Sequence, residues 1–138
     1  MKKILLLTFF VSLIMGNTNF TMSLDGILNK FLWKKRIVLL ITDEKDLRLI
    51  DGVNSFFNEQ ICENRDRKIE LYKIIGDQIK KYEVPEKYEG KKGIWLIGYD
   101  GVNKAYSRDL SLLSQLYAIV DSMPIRQSEM VKQDSNCG

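Results

Sequence analysis

A short apolar run with charged residues on both sides constrains the fold more than any other feature of this sequence. Residues 37–41 are five consecutive aliphatic side chains, rich in β-branched types, between a basic segment at 34–36 and an acidic one at 43–46. A run of this length and composition is typical of a β-strand that is covered on both faces. The run therefore predicts a central strand in a sheet with helices on both sides.

The next segment has the clearest helical periodicity in the chain. Its apolar residues recur at three- and four-residue steps, and they are Leu47, Ile50, Val53, Phe57 and Ile61. Either Asp43 or Asp46 can cap this helix. Residues 68–75 then alternate in polarity and predict a second strand. Because a helix connects the two strands, we expect them to be parallel.

The second half of the chain predicts a hairpin and a long helix. Residues 93–99 are a further apolar run, and the Asp-Gly pair at 100–101 directly after it is a strong hairpin signal. Residues 102–107 are mixed in polarity, so the return strand is expected at the edge of the sheet. The helix that follows is expected to end before Pro124, because proline disfavours helical backbone in the preceding residue. Residues 125–130 are expected to form a short final turn.

This order of elements predicts an α/β fold of the thioredoxin-like type, with a mixed sheet of about four strands and flanking helices. The domain is expected over residues 24–131. Residues 63–67 are interpreted as a polar link between helix and strand, and residues 132–138 as a flexible tail. Trp33 and Trp95 are both expected in the core.

Residues 1–23 have the build of a secretory signal peptide. Two lysines precede an apolar run of 12 residues, shorter than the roughly 18 that a membrane anchor requires. Cleavage is expected after Gly16 or after Ser23. The mature chain is then expected in the periplasm or outside the cell, without a membrane anchor.

Charge and composition exclude several classes of function. Without the two leader lysines, 19 basic residues face 18 acidic ones, and the two signs are interspersed, so no nucleic-acid partner is expected. Histidine is absent, which excludes catalytic triads that contain it and the usual zinc sites. The acidic residues Asp43, Glu44 and Asp46 are interpreted as capping and solvated groups. We therefore expect neither a metal nor a cofactor.

The two cysteines, Cys62 and Cys137, leave three states open. In an exported protein they can form one disulfide, remain free thiols or bridge two molecules. Neither lies in residues 42–47, where a redox protein of this fold has its reactive cysteine, since the start of a helix lowers the pKa of a thiol. No catalytic residue is therefore assigned.

Four groups of residues together resemble a known family. They are residues 33–36, Arg65-Asp66, residues 96–101 with Lys104, and residues 119–126 with Glu129-Met130. The pattern resembles domain of unknown function 4174 and is similar to the C-terminal domains of vertebrate sushi-repeat extracellular proteins. The resemblance covers roughly residues 24–130. It implies a thioredoxin-like, exported protein whose molecular activity is not established.

These observations favour a non-redox binding or interaction module in the cell envelope, with a protein or an envelope polymer as its partner. The candidate binding residues are Arg65, Asp66, Arg126 and Glu129, which recur in the family resemblance. Their alternative role is an ion-paired brace between the start of a strand and the last turn. The alternative function is an atypical thiol-disulfide oxidoreductase or peroxidase-like enzyme that uses Cys62. The oligomeric state stays open.

Overall fold

The computed structural model describes residues 20–137, and the apolar run of the predicted signal peptide lies outside them. Six strands are present in this part of the chain: β1 (Met22–Ser23), β2 (Arg36–Thr42), β3 (Ile69–Ile75), β4 (Tyr82–Glu83), β5 (Gly93–Ile97) and β6 (Asn103–Ser107). The five α-helices are α1 (Leu24–Leu28), α2 (Leu47–Glu59), α3 (Ile61–Asp66), α4 (Ser111–Asp121) and α5 (Pro124–Lys132). Short 3-10 helices follow α1 and β3, at Asn29–Phe31 and Gly76–Lys81.

The main sheet has four strands in the order β3-β2-β5-β6. Strand β2 pairs in parallel with β3 and antiparallel with β5, which in turn pairs antiparallel with β6. This is the connectivity of a thioredoxin-like fold, and it confirms the predicted mixed sheet with flanking helices. Strand β2, which contains the apolar run at residues 37–41, lies between β3 and β5. Every residue of β2 is therefore buried.

The side chains of β2 alternate between two apolar cores, one on each face of the sheet. Val38 and Leu40 pack against the buried faces of α2 and α4. Ile37, Leu39 and Ile41 pack on the opposite face, in a cluster that includes residues of α1. The continuous apolar pattern of β2 is thus explained by helices on both sides.

A second, parallel pair of strands joins β1 to β4 through Met22 and Ser23. Ser23 also caps α1, since its hydroxyl oxygen accepts the N–H of Gly26 at 3.1 Å. The first described residues are therefore integrated into the fold. Among residues 20–137, no helix has both the length and the apolar character required to span a membrane.

Three local predictions were wrong. Residues 63–67 are not a polar link, because most of them lie in α3, whose Asn64 is buried and accepts a hydrogen bond from Tyr117 at 2.8 Å. The final turn is a nine-residue helix, α5. Trp33 is not in the core, since it is 66% exposed in a turn. Each of these features depends on contacts with distant residues, which local hydrophobicity does not report.

Candidate functional site

The β2–α2 corner, residues 42–47, is where a redox protein of this fold has its reactive cysteine. In this chain the corner contains a threonine, three acidic residues, a lysine and a leucine. Asp46 caps α2, because its Oδ1 accepts the N–H of Leu49 at 3.2 Å. The start of α2 is therefore occupied by a carboxylate, and the corner has no thiol that the helix could activate.

One ion pair links this corner to the segment before β5. The ammonium group of Lys92 pairs with the carboxylate of Asp43. The two side chains are 60% and 58% exposed, so water screens the interaction and it adds little stability. The corner is thus polar, solvated and loosely connected.

A cleft of about 460 Å³ opens beside the corner. Its lining combines apolar side chains with a charged rim: Ile41, Thr42, Asp43, Gly76, Ile79, Tyr82, Val84, Tyr88, Glu89, Gly90, Lys91 and Lys92. Tyr88 is buried, and its hydroxyl donates a hydrogen bond to Asn103 at 2.8 Å. Burial raises the pKa of Tyr88 to about 12, so the phenol stays neutral at physiological pH. The lining offers groups for binding but no thiol.

The opposite end of β2 contains a dense network of charges, which we call the arginine cluster. It consists of three arginines and four carboxylates: Arg36, Arg67 and Arg126 with Glu63, Asp66, Asp121 and Glu129. The network connects the start of β2, the end of α3, the end of α4 and the helix α5. It therefore joins elements that are far apart in the sequence.

Arg67 connects α3 to α4. Its Nε and Nη2 donate to the two carboxylate oxygens of Asp121 at 2.9 and 2.8 Å, and its Nη1 donates to Glu63 at 2.6 Å. The guanidinium also lies 4.1 Å from the centre of the Tyr117 ring. Burial alone would raise the pKa of Asp121, but hydrogen bonds from Arg67 and Arg126 outweigh it and lower that pKa. Asp121 therefore stays ionised in the folded protein.

Arg126 connects α5 to α3. It is almost fully buried, and it donates to Asp66 Oδ2 at 2.6 Å and to the carbonyl oxygen of Asp66 at 3.0 Å. Its Nε donates to Asp121 at 3.1 Å. The buried guanidinium of Arg126 depends on these acceptors, because removing one partner of a buried ion pair leaves the other charge unpaired and destabilises the fold.

Arg36 connects the start of β2 to α5. Its Nη1 donates to the carbonyl oxygen of Arg67 at 2.7 Å and to Glu129 Oε2 at 3.2 Å. Its guanidinium lies 4.1 Å from the centre of the Tyr99 ring, and the Tyr99 hydroxyl donates to Glu129 Oε1 at 2.5 Å. Burial, together with the hydrogen bond to Glu129, raises the pKa of Tyr99 to about 12.

Cys62 and Cys137 form a disulfide with a Cα–Cα distance of 5.7 Å. Cys62 lies in α3, which leads into the start of β3, and β3 is parallel to β2 with Ile69 opposite Arg36. The disulfide is therefore close to the arginine-cluster end of the sheet. The seven residues of β2 separate this end from the β2–α2 corner, which corresponds to about 20 Å at the usual rise of a strand.

The structure brings three of the four candidate binding residues together. Arg126, whose side chain is only 3% exposed, forms ion pairs with both Asp66 and Glu129. Their arrangement is that of the alternative interpretation, an ion-paired brace between a strand start and the last helix. Arg65 is exposed, and within residues 20–137 its side chain forms no ion pair with this network.

Sequence reasoning did not assign Arg36, Arg67, Asp121 and Glu63 to the site. Arg36 and Asp121 belong to the segments that carry the family resemblance, and that was the available signal. Arg67 and Glu63 stand four residues apart, a spacing that permits a helical ion pair. Among residues 20–137, no group of three or more acidic, cysteine or histidine side chains has the geometry of a metal site.

One solved structure with a similar arrangement is the mitochondrial 2-Cys peroxiredoxin from Plasmodium falciparum. It shares 15% sequence identity with this chain at a TM-score of 0.49, and the match covers 80% of this chain and 86% of that chain. No curated protein matches the chain. The model of a domain of unknown function, DUF4174, matches residues 27–129, which is most of the sequence and includes both ends of β2. This chain therefore belongs to the DUF4174 family.

Proposed function

We propose that this chain is an exported binding module of the cell envelope and does no thiol chemistry. The observation that carries the proposal is the location of sulfur in the fold. The β2–α2 corner has none, and both cysteines are joined to each other near the opposite end of the sheet. The scaffold of a redox protein is thus retained without its reactive group.

Physical chemistry supports a structural role for the disulfide. It closes a long loop, with 75 residues of sequence separation, and attaches the segment after α5 to α3. A cross-link of this length stabilises the fold by restricting the unfolded chain. Such disulfides persist in oxidising compartments, which supports export.

The N-terminal elements support one of the two cleavage sites. Removal of the leader after Ser23 would delete β1 and the cap of α1. Removal after Gly16 would leave both in place. We therefore propose Gly16 as the last residue of the signal peptide, and the mass of the purified envelope protein tests this directly.

The partner is proposed to be a protein or an envelope polymer. The alternative function, a thiol-disulfide oxidoreductase or peroxidase-like enzyme, would act through Cys62, which is exposed. In that case the Cys62–Cys137 disulfide would be an oxidised intermediate of a catalytic cycle, and a substrate would have to reopen it.

An assay of the mature protein separates the two functions. Reduction of insulin disulfides by dithiothreitol and consumption of hydrogen peroxide are measured for the wild type and for Cys62→Ser, with a standard thioredoxin assayed alongside. We expect the wild type to accelerate neither reaction above the variant. A multiple-turnover rate that disappears in Cys62→Ser would refute the binding module and establish the enzyme.

A further inference from the structure

We propose that a pocket beside Trp33 receives one apolar side chain from an acidic segment of a partner protein. This inference rests on the proposed function, because it names the site and the ligand class of the binding module. The pocket lies at the arginine-cluster end of β2 and has a volume of about 210 Å³. Its lining is Trp33, Arg36, Gly98, Tyr99, Asp100, Lys104, Met123, Pro124 and Ile125.

Trp33 is held in an exposed position by the backbone. Its φ of 61° is in the left-handed region, which is uncommon for a bulky residue, and its N–H donates to the carbonyl oxygen of Tyr99 at 2.9 Å. Gly101 supports this arrangement, because at its φ of 75° a Cβ would lie 2.9 Å from Leu32. A fixed, exposed indole at the rim of a pocket is the kind of residue that dominates binding energy in protein interfaces.

Arg36, which contributes to the lining of this pocket, has one hydrogen-bond donor without an acceptor within residues 20–137. Its side chain is 1% exposed, and its Nε has no acceptor among the described residues. The charge of the guanidinium is already balanced by Glu129. A neutral oxygen, such as a peptide carbonyl, would therefore complement Arg36 better than a second anion would.

The size of the pocket favours a segment of a larger molecule over a separate small ligand. Sites for drug-sized molecules usually enclose roughly 300–1,000 Å³, whereas this pocket is smaller. It can hold a single side chain of medium size together with its carbonyl group. Ile125 and Trp33 remain exposed beside it, so the rest of the segment would contact their apolar surfaces.

The charges at the rim favour an acidic segment. Lys34, the neighbour of Trp33, is exposed and has no ion pair within residues 20–137. Lys104 lies in the lining, where Asp100 holds its ammonium group at 2.8 Å. A carboxylate beside the inserted side chain would meet the ammonium group of Lys34, and Lys104 would contribute only in competition with its ion pair to Asp100.

All nine lining residues belong to three of the segments on which the family resemblance rests. These segments are distant in the sequence, at residues 33–36, 96–104 and 119–126. The fold therefore brings parts of three of these segments together at one pocket. The lining of the cleft beside the β2–α2 corner contains no residue from these segments.

The test is an NMR titration of the mature, disulfide-bonded protein labelled with nitrogen-15. The probes are three blocked peptides, acetyl-Glu-Leu-Glu-amide, acetyl-Lys-Leu-Lys-amide and acetyl-Glu-Gly-Glu-amide. We expect the first to shift the Trp33 indole N–H and the Arg36 Nε–H saturably, with a Kd of about 1 mM or below. The basic peptide and the glycine peptide should each bind at least about three-fold more weakly. The indole of Trp95, which is buried on the sheet, is the internal reference.

Two variants locate the effect. Ile125→Asp places a charge in the lining and should weaken the acidic leucine peptide by about ten-fold or more. Val131→Asp is the matched control, because Val131 is in the same helix, is 87% exposed and is outside the lining. Equal affinity in the two variants, or no saturable shift at about 10 mM peptide, would overturn the proposal.

Other occupants give distinguishable results. Shifts confined to the cleft beside the corner would overturn the proposed site. Binding to anionic phospholipid vesicles that depends on Ile125, with no response to the peptides, would overturn the peptide ligand in favour of a membrane surface. Failure of the peptide titration leaves the result of the thiol assay untouched, so the two proposals fail separately.

Discussion

The two ends of β2 differ in how they use charge. At the β2–α2 corner a single ion pair, Lys92 with Asp43, is more than half exposed. At the other end the arginine cluster contains two arginines with side-chain exposures of only 1% and 3%. In a low-dielectric environment, charges interact strongly and are costly to leave unpaired. The buried ion pairs therefore lie at the end of β2 opposite the β2–α2 corner.

The contrast also separates the two places at which sulfur could act in this fold. A redox protein of this fold needs an activated thiol at the corner, and here capping and solvated carboxylates occupy that place. The arginine cluster and the disulfide instead link α3, α4, α5 and the segment after α5 to one another and, through Arg36, to β2. The pocket beside Trp33 lies at the same end of β2 as this cluster, and side chains held in place before binding favour affinity.

The largest expected effect is the loss of Arg126. Arg126→Met leaves Asp66 in a mostly buried position without its partner, so we expect a decrease of about 3–5 kcal/mol in the free energy of unfolding. Arg65→Met is the matched control, since it removes an exposed arginine from the residue next to Asp66 and should change stability by less than about 0.5 kcal/mol.

Urea denaturation of the disulfide-bonded protein measures both variants. If Arg126→Met does not fold, Arg126→Lys provides the comparison, because it keeps the charge but loses the two-pronged contact with Asp66. A loss for Arg126→Met as small as that for Arg65→Met would show that the cluster contributes little, and the contrast between the two ends would disappear.

The second largest expected effect on stability is the loss of the disulfide. Replacement of both cysteines, Cys62→Ser with Cys137→Ser, should lower the free energy of unfolding by about 2–4 kcal/mol, because the unfolded chain regains the freedom of a 75-residue loop. The wild type in dithiothreitol should show the same loss. A change of less than about 1 kcal/mol would mean that other contacts already fix the segment after α5.

The stability contributed by the arginine cluster should depend on pH through Asp121. Its pKa is lowered in the folded protein: burial opposes the shift, and the hydrogen bonds from Arg67 and Arg126 outweigh burial. In the unfolded chain an aspartate has a pKa of about 3.9. The ion pairs of Asp121 therefore contribute stability above about pH 4, and this is lost as pH falls through the folded pKa.

Urea unfolding at a series of pH values below 6 should show this loss in the wild type. In Asp121→Asn the slope of stability against pH should be shallower over the same range, because one coupled carboxylate is gone. Identical slopes would contradict the role assigned to Asp121.

The sequence allowed the sheet to be predicted more fully than the charge network. Residues 37–41 and the helix after them carry their own periodicity, so local patterns sufficed for β2 and α2. Arg36 follows two other basic residues, and nothing local distinguishes its buried side chain from theirs. Its partners Glu129 and Tyr99 lie far away in the sequence, so only the folded chain identifies them.

The outcome for Trp33 has the same cause. Hydrophobicity alone placed it in the core, but the short turn between the 3-10 helix and β2 keeps it at the surface. Asp46 was one of two predicted caps and is the residue that caps α2. The parallel pairing of β2 with β3 and the β5–β6 hairpin could thus be predicted from the order and pattern of the elements, whereas the burial of single side chains such as Arg36 and Trp33 depends on contacts that only the folded chain shows.

The smallest expected effect lies at the corner. Lys92→Met removes the ion pair with Asp43, and because both side chains are exposed we expect a change of about 0–1 kcal/mol in the free energy of unfolding. The effect should also decrease at high salt, because dissolved ions screen exposed charges, with a screening length of about 10 Å at 0.1 M that becomes shorter as salt rises. A loss comparable to that of Arg126→Met, or one insensitive to salt, would show that the corner is an organised site, and the cleft beside it would become the stronger candidate for binding.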